Sequence, residues 1–117
     1  MISAESLREP GTTHLSATVI AGILGMRPDE LAEFAGVRPD VLKSHPESAR
    51  VQKALCDLAH VLTVLTEQQP DVARVVFHLK NTPLRTFGGR TLLEVIRVGR
   101  IEDAIAYLDS VLSGAAG

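Results

Sequence analysis

Aromatic residues are scarce in this chain: they make up 3% of its 117 residues, and tryptophan is absent. The core must therefore be aliphatic, and single-stranded nucleic acid would find few rings on which to stack its bases. The one cysteine, Cys56, excludes an internal disulfide and is typical of a reducing compartment. We predict that its thiol is half-buried and has a packing role.

The sequence also lacks the marks of several other protein classes. No apolar run approaches the ~20 residues that a membrane-spanning helix needs. No basic start followed by an apolar run marks a signal peptide, so we expect a cytoplasmic protein without membrane association. A net charge of −2 argues against general attraction to nucleic acid.

Chemistry-bearing residues are not grouped in the sequence. The four histidines do not pair with each other, with Cys56 or with a carboxylate at zinc-ligand spacing. No nucleophile motif frames a serine or the cysteine. We therefore predict no catalytic residue, no metal, no cofactor and no enzymatic activity.

Apolar residues make up 45% of the chain and recur mostly at helical spacing, which predicts an all-α fold. We divide the chain into three parts. Residues 1–13 would form a flexible arm, residues 14–48 a helix-turn-helix-like region, and residues 49–117 a long connecting helix followed by a small helical partner-binding region. Residues 73–79 also have strand propensity, although we favour a helix there.

Residues 28–46 fit a helix-turn-helix template, with small Ala32 at the helix approach and Gly36 in the turn. A second helix starting near Pro39 would present to DNA four polar residues, namely Arg38, Asp40, Lys43 and Ser44. The alternative is an ordinary helical hairpin that touches no nucleic acid. Five basic residues meet five acidic ones between Arg27 and Lys53, so charge does not decide between the two.

A long helix is predicted from Pro46 to Gln68, capped by Ser44 or His45. It carries one apolar stripe from Val51 to Leu65 and a second stripe of Ala54, Val61 and Val64. A helix that is apolar on two sides is either sandwiched within its chain or shared with another subunit. We expect both here, with the second stripe forming a homodimer seam.

Residues 81–117 predict a proline-anchored turn, a Gly-Gly elbow, a short helix, a one-glycine corner and a closing helix. Thr91 and Glu94 have the spacing of a capping box, and Gly99 is a typical helix stop. The glycines before Thr91 also suit a phosphate loop. However, they lack its full spacing and no strand precedes them, so a structural elbow is preferred.

This stretch resembles the toxin-binding domain of Xre/MbcA/ParS-type antitoxins. The matching residues are Asn81, Thr82, Pro83, Leu84, Gly88, Gly89, Arg90, Thr91, Leu92, Leu93, Gly99, Leu108 and Gly114. Two positions depart from the family pattern. Leu92 stands where the family usually has proline, and Phe77 lies near the place where it often has tryptophan.

The resemblance implies an antitoxin that covers the active-site entrance of a RES-type, NAD-consuming toxin with its C-terminal region. It also implies repression of its own operon through operator DNA. Arginines are good interface anchors, and four of them lie between Asn81 and Arg100 against one acid. The expected toxin-binding residues are Arg85, Phe87, Gly88, Gly89, Arg90, Arg97, Arg100, Leu112, Ser113 and Gly114.

Two other functions remain open on the sequence. The chain could be a stand-alone helix-turn-helix transcriptional regulator, or a structural adaptor with no toxin partner. A neighbouring gene for a small RES-type protein would favour the antitoxin over both.

Overall fold

A computed structural model describes residues 5–9 and 11–112 of the chain, with only the backbone described for Glu5 and Leu112. Within these residues the fold is all-α, as predicted, and there is no β-strand. The α-helices are α1 (Ala17–Leu24), α2 (Pro28–Ala35), α3 (Pro39–Ser44), α4 (Ala49–Gln68), α5 (Val72–Asn81), α6 (Leu92–Arg97) and α7 (Ile101–Leu112). Two 3-10 turns, Glu5–Leu7 and Arg85–Phe87, complete the regular structure.

Local signals place most helix ends. The Ser16 hydroxyl accepts a hydrogen bond from the Val19 amide, as expected for the N-cap of α1. The Asp71 carboxylate accepts one from the Arg74 amide (3.3 Å), and the segment that also had strand propensity is helical. The Asp71 cap and the helical spacing of buried Val75 and Leu79 accompany α5, although Val and Phe favour strands.

Helix α4 begins three residues later than predicted. Its cap is Ser48, whose hydroxyl accepts a hydrogen bond from the Val51 amide (3.4 Å), rather than Ser44 or His45. His45 instead ends α3, and its amide donates to the Val41 carbonyl (2.7 Å). Pro46 lies in the turn between the two helices.

The described residues form two compact units, residues 5–60 and 61–112, and the division falls within α4. We had expected a boundary after residue 48. The difference arises because the start of α4 is bonded to the N-terminal unit. The Gln52 side chain accepts from the Leu15 amide (2.9 Å) and donates to the carbonyls of Leu15 (3.1 Å) and Pro46 (2.9 Å).

The segment predicted as a flexible arm is held in place where it is described. Leu7 is fully buried, and its carbonyl accepts a hydrogen bond from the Ser16 amide. Arg8 and Leu15 form an isolated antiparallel bridge beside it. Burying an apolar side chain of this size stabilises the segment by about 2 kcal/mol, which a free arm would lack.

The second apolar stripe of α4, predicted to form a homodimer seam, is partly covered within the single chain. Val61 is fully buried within the single chain, whereas Ala54 and Val64 are half-buried. The stripe therefore leaves no large apolar surface that a second copy would have to cover. Cys56, predicted to be half-buried, is exposed.

Candidate functional site

The elbow (residues 84–90) is a tight backbone loop between α5 and α6. Its two ends are joined by an antiparallel bridge, in which the Leu84 amide donates to the Arg90 carbonyl (3.0 Å). The Gly89 amide donates back to the Leu84 carbonyl (2.9 Å), and the Gly88 amide donates to the Arg85 carbonyl (3.1 Å). With its backbone groups paired in this way, the loop is a rigid platform for the side chains that it carries.

Gly88 and Gly89 are required by the backbone conformation of the elbow. Their φ angles are 67° and 89°, a region that side-chain-bearing residues rarely adopt. A Cβ added at either position would meet no heavy atom within 4 Å, so crowding is not the constraint. The positive φ angles alone explain why glycines occupy these two positions of the elbow.

Thr91 and Glu94 form the predicted capping box at the start of α6. The Glu94 carboxylate accepts a hydrogen bond from the Thr91 amide (3.0 Å), and the Glu94 amide donates to the Thr91 hydroxyl (3.2 Å). The bond from the Thr91 amide is the main reason that the pKa of Glu94 lies below its usual value of 4.5. The Thr91 hydroxyl and the charges of Arg90 and Arg97 lower this pKa further.

The lowered pKa predicts that Glu94→Gln will change the acid sensitivity of the fold. Ionised Glu94 contributes stability above its unfolded pKa of about 4.5, and that contribution is lost as pH falls through the lower folded value. The stability advantage of the wild type over Glu94→Gln should therefore shrink on acidification. Urea unfolding of both proteins between about pH 6 and pH 3 measures it. A constant difference across that range would contradict the prediction.

The four arginines of this region differ in their surroundings. Arg85 and Arg90 project from the elbow and are exposed, and Arg97 is exposed in the last turn of α6. Arg100 already contacts two residues of its own chain. Its guanidinium forms an ion pair with the Asp103 carboxylate (2.8 Å) and lies 5.5 Å from the ring centre of Phe87. The elbow arginines are thus the better placed of the four to contact a partner.

Phe87, one of the expected toxin-binding residues, is buried within its own chain, and its contact role stays a prediction. Its side chain is only 8% exposed. Its ring packs edge-on against Tyr107 of α7 at 5.5 Å between ring centres, with Arg100 over its face. Phe87 therefore ties the elbow to α7.

Phe77, which we had not included among the site residues, is the most exposed large apolar side chain of the described chain, at 67%. It lies on α5, where the neighbouring turns present exposed Arg74 and His78. The Asn81 amide group donates to the Phe77 carbonyl (3.1 Å). The sequence contained a signal for this exposure. Phe77 lies two residues from both Val75 and Leu79, which are buried, and this spacing places it off the apolar face of an amphipathic helix.

The remaining residues expected at the toxin surface lie at the C-terminus. Leu112 is the last residue of α7. Ser113 and Gly114 lie outside the described residues, so their predicted contact role stays a prediction.

The candidate DNA-binding residues cluster around the short helix α3. Arg38 forms an ion pair with Asp40 (3.1 Å), and the Ser44 hydroxyl donates to the Asp40 carbonyl (2.6 Å). Lys43 is exposed in the last turn. Helix α3 has six residues, so it is about 9 Å long at the usual rise per residue. Three of the four side chains are thus engaged with each other or with their own helix.

The described residues contain neither a candidate metal site nor a candidate membrane span. No group of three or more His, Cys, Asp or Glu among them could hold a metal ion. No helix in the described part of the chain has both the length and the apolar character needed to cross a membrane.

No protein-family model, no curated protein and no solved structure matches this chain. What the chain does is therefore inferred from its own residues.

Proposed function

We propose that this chain is an antitoxin that binds and neutralises a RES-type, NAD-consuming toxin, with the elbow as the centre of the contact surface. The proposal rests on the resemblance of residues 81–114 to the toxin-binding domain of Xre/MbcA/ParS-type antitoxins. The observation that carries it furthest is the exposure of Arg85 and Arg90 on a loop whose backbone is fixed by internal hydrogen bonds.

Charge supports a protein partner with an acidic surface. Between residues 74 and 100 the chain has six Lys and Arg and one acid, Glu94. Arginines held on a rigid loop lose little backbone freedom on binding. Their guanidinium groups can form bidentate hydrogen bonds with carboxylates. An acidic rim around the entrance of the partner's active site would fit this surface.

Operator binding and dimerisation have less support. The charge of Arg38 is offset by its ion pair with Asp40. Helix α3, which would be the recognition helix, has only six residues. The buried position of Val61 removes the reason for a homodimer through α4. The proposal therefore concerns binding of the toxin alone.

The test first looks for a gene for a RES-type protein beside the chain's own gene, and its absence would count against the proposal. The product of that gene is then co-expressed with the chain, with growth and cellular NAD as readouts. The wild-type chain should restore both. Replacing Arg85 and Arg90 by Ala should weaken binding by about tenfold for each anchor. Arg8→Ala, an exposed arginine of the N-terminal unit, is the matched control and should bind as the wild type does.

Circular dichroism of each variant separates a lost contact from a lost fold. The proposal is wrong if the wild-type chain neither binds the RES-type protein nor restores growth. If the double variant binds as tightly as the control, the contact surface lies elsewhere than the elbow.

A further inference from the structure

Two helices of the C-terminal unit differ in the sign of their charge. Helix α5 belongs to a stretch, residues 72–93, that contains four Lys and Arg and no acid. Helix α7 contains three acids and no Lys or Arg. Each helix presents an exposed face, so neither face is covered by the other within one chain.

The α5 face consists of Arg74, Phe77 and Asn81, all of which are exposed. Steps of three and four residues place them on one side of the helix. Phe77 is 67% exposed, and Arg74 forms no ion pair within the described part of the chain. An aromatic ring beside an arginine is the kind of anchor that protein interfaces bury.

The α7 face consists of Glu102, Ala106 and Asp109, which are also exposed and also lie on one side of their helix. Among the described residues the carboxylates of Glu102 and Asp109 have no ion-pair partner, whereas that of the neighbouring Asp103 bonds Arg100 (2.8 Å). The small side chain of Ala106, between the two carboxylates, leaves room for a ring to pack against the helix.

The two faces match in register when the helices run antiparallel. From the first to the last residue of the α5 face the steps are three and four residues. From the last to the first residue of the α7 face the steps are again three and four residues. Aligned in this way, Arg74 lies opposite Asp109 and Phe77 lies opposite Ala106.

We propose that the α5 face of this chain binds the α7 face of a second copy. The Arg74 guanidinium donates to the Asp109 carboxylate, and the Phe77 ring packs on Ala106. The Asn81 amide group, which gives one hydrogen to the Phe77 carbonyl (3.1 Å), donates its other hydrogen to Glu102.

A second copy is favoured over an unrelated partner because the chain itself carries both halves of the contact, matched in charge and in spacing. The contact does not use the second stripe of α4. The inference does not depend on the antitoxin proposal, because none of its residues belongs to the elbow.

The test is sedimentation equilibrium of the full chain at concentrations up to about 1 mM. The wild type should self-associate, and more weakly at about 0.5 M than at about 0.05 M NaCl, because exposed ion pairs are screened by salt. Arg74→Glu and Asp109→Arg each place like charges opposite one another and should weaken self-association by at least about tenfold.

Mixing the two charge-reversed proteins is the decisive arm. Every contact between an Arg74→Glu chain and an Asp109→Arg chain pairs opposite charges, so the mixture should associate as the wild type does. Arg8→Glu, a reversal at an exposed arginine of the N-terminal unit, is the matched control and should leave self-association unchanged.

Phe77→Ala tests the apolar part of the contact and should weaken self-association by at least about tenfold. Circular dichroism confirms that each variant is folded. A wild type that stays monomeric over the whole concentration range would overturn the inference. Failure of the mixture to associate, or unchanged association of the folded single variants, would overturn the pairing of these two faces.

Discussion

Val61→Glu is expected to unfold the chain rather than to separate two subunits. Val61 is fully buried in α4, so a carboxylate at this position would be cut off from water. An unpaired charge in an apolar interior costs several kcal/mol, a large part of the total stability of about 5–15 kcal/mol usual for a domain. We expect a loss of at least about 3 kcal/mol, measured by urea unfolding followed by circular dichroism.

Val64→Glu is the matched control on the same helix. Val64 is half-buried, so its carboxylate can reach water and the cost should be smaller, within about 1–2 kcal/mol. Sedimentation of both variants gives the second readout. A Val61→Glu protein that unfolds like the wild type but sediments at half the mass would restore the dimer seam predicted for this stripe.

Phe87→Ala is expected to destabilise the C-terminal unit by about 3–5 kcal/mol. The substitution removes a buried ring together with its edge-on contact to Tyr107 and the cation-π contact with Arg100. The elbow would lose its attachment to α7, so thermal unfolding followed by circular dichroism should shift to clearly lower temperature.

Phe77→Ala provides the comparison on an exposed ring. Phe77 is 67% exposed, and truncating it should change stability by no more than about 0.5 kcal/mol. If Phe87→Ala were as stable as Phe77→Ala and lost only partner binding, the buried role that we assign to Phe87 would be incorrect.

The sequence determined the helices of this protein because helix ends depend on neighbouring residues. Ser16, Asp71 and the Thr91–Glu94 pair each satisfy a backbone amide three residues away, so their roles could be predicted from spacing alone. The same holds for the two glycines of the elbow, whose positive φ angles are a local property. The all-α fold follows from these signals together with helical periodicity.

Only the tertiary structure decided which side chains are buried and which are exposed. The second stripe of α4 has the same periodicity whether it is covered by its own chain or by a partner, and only the packing shows that Val61 is covered within the chain. Phe87 sits in a basic segment that suggested a contact surface, but its partner Tyr107 lies twenty residues away on another helix.

The same reason explains the boundary between the two units. The bonds of Gln52 to Leu15 assign the start of α4 to the N-terminal unit, and they join residues 37 positions apart. Local hydrogen bonds can be predicted from the order of residues along the chain. Burial and long-range side-chain contacts cannot, because they depend on which distant segments the folded chain brings together.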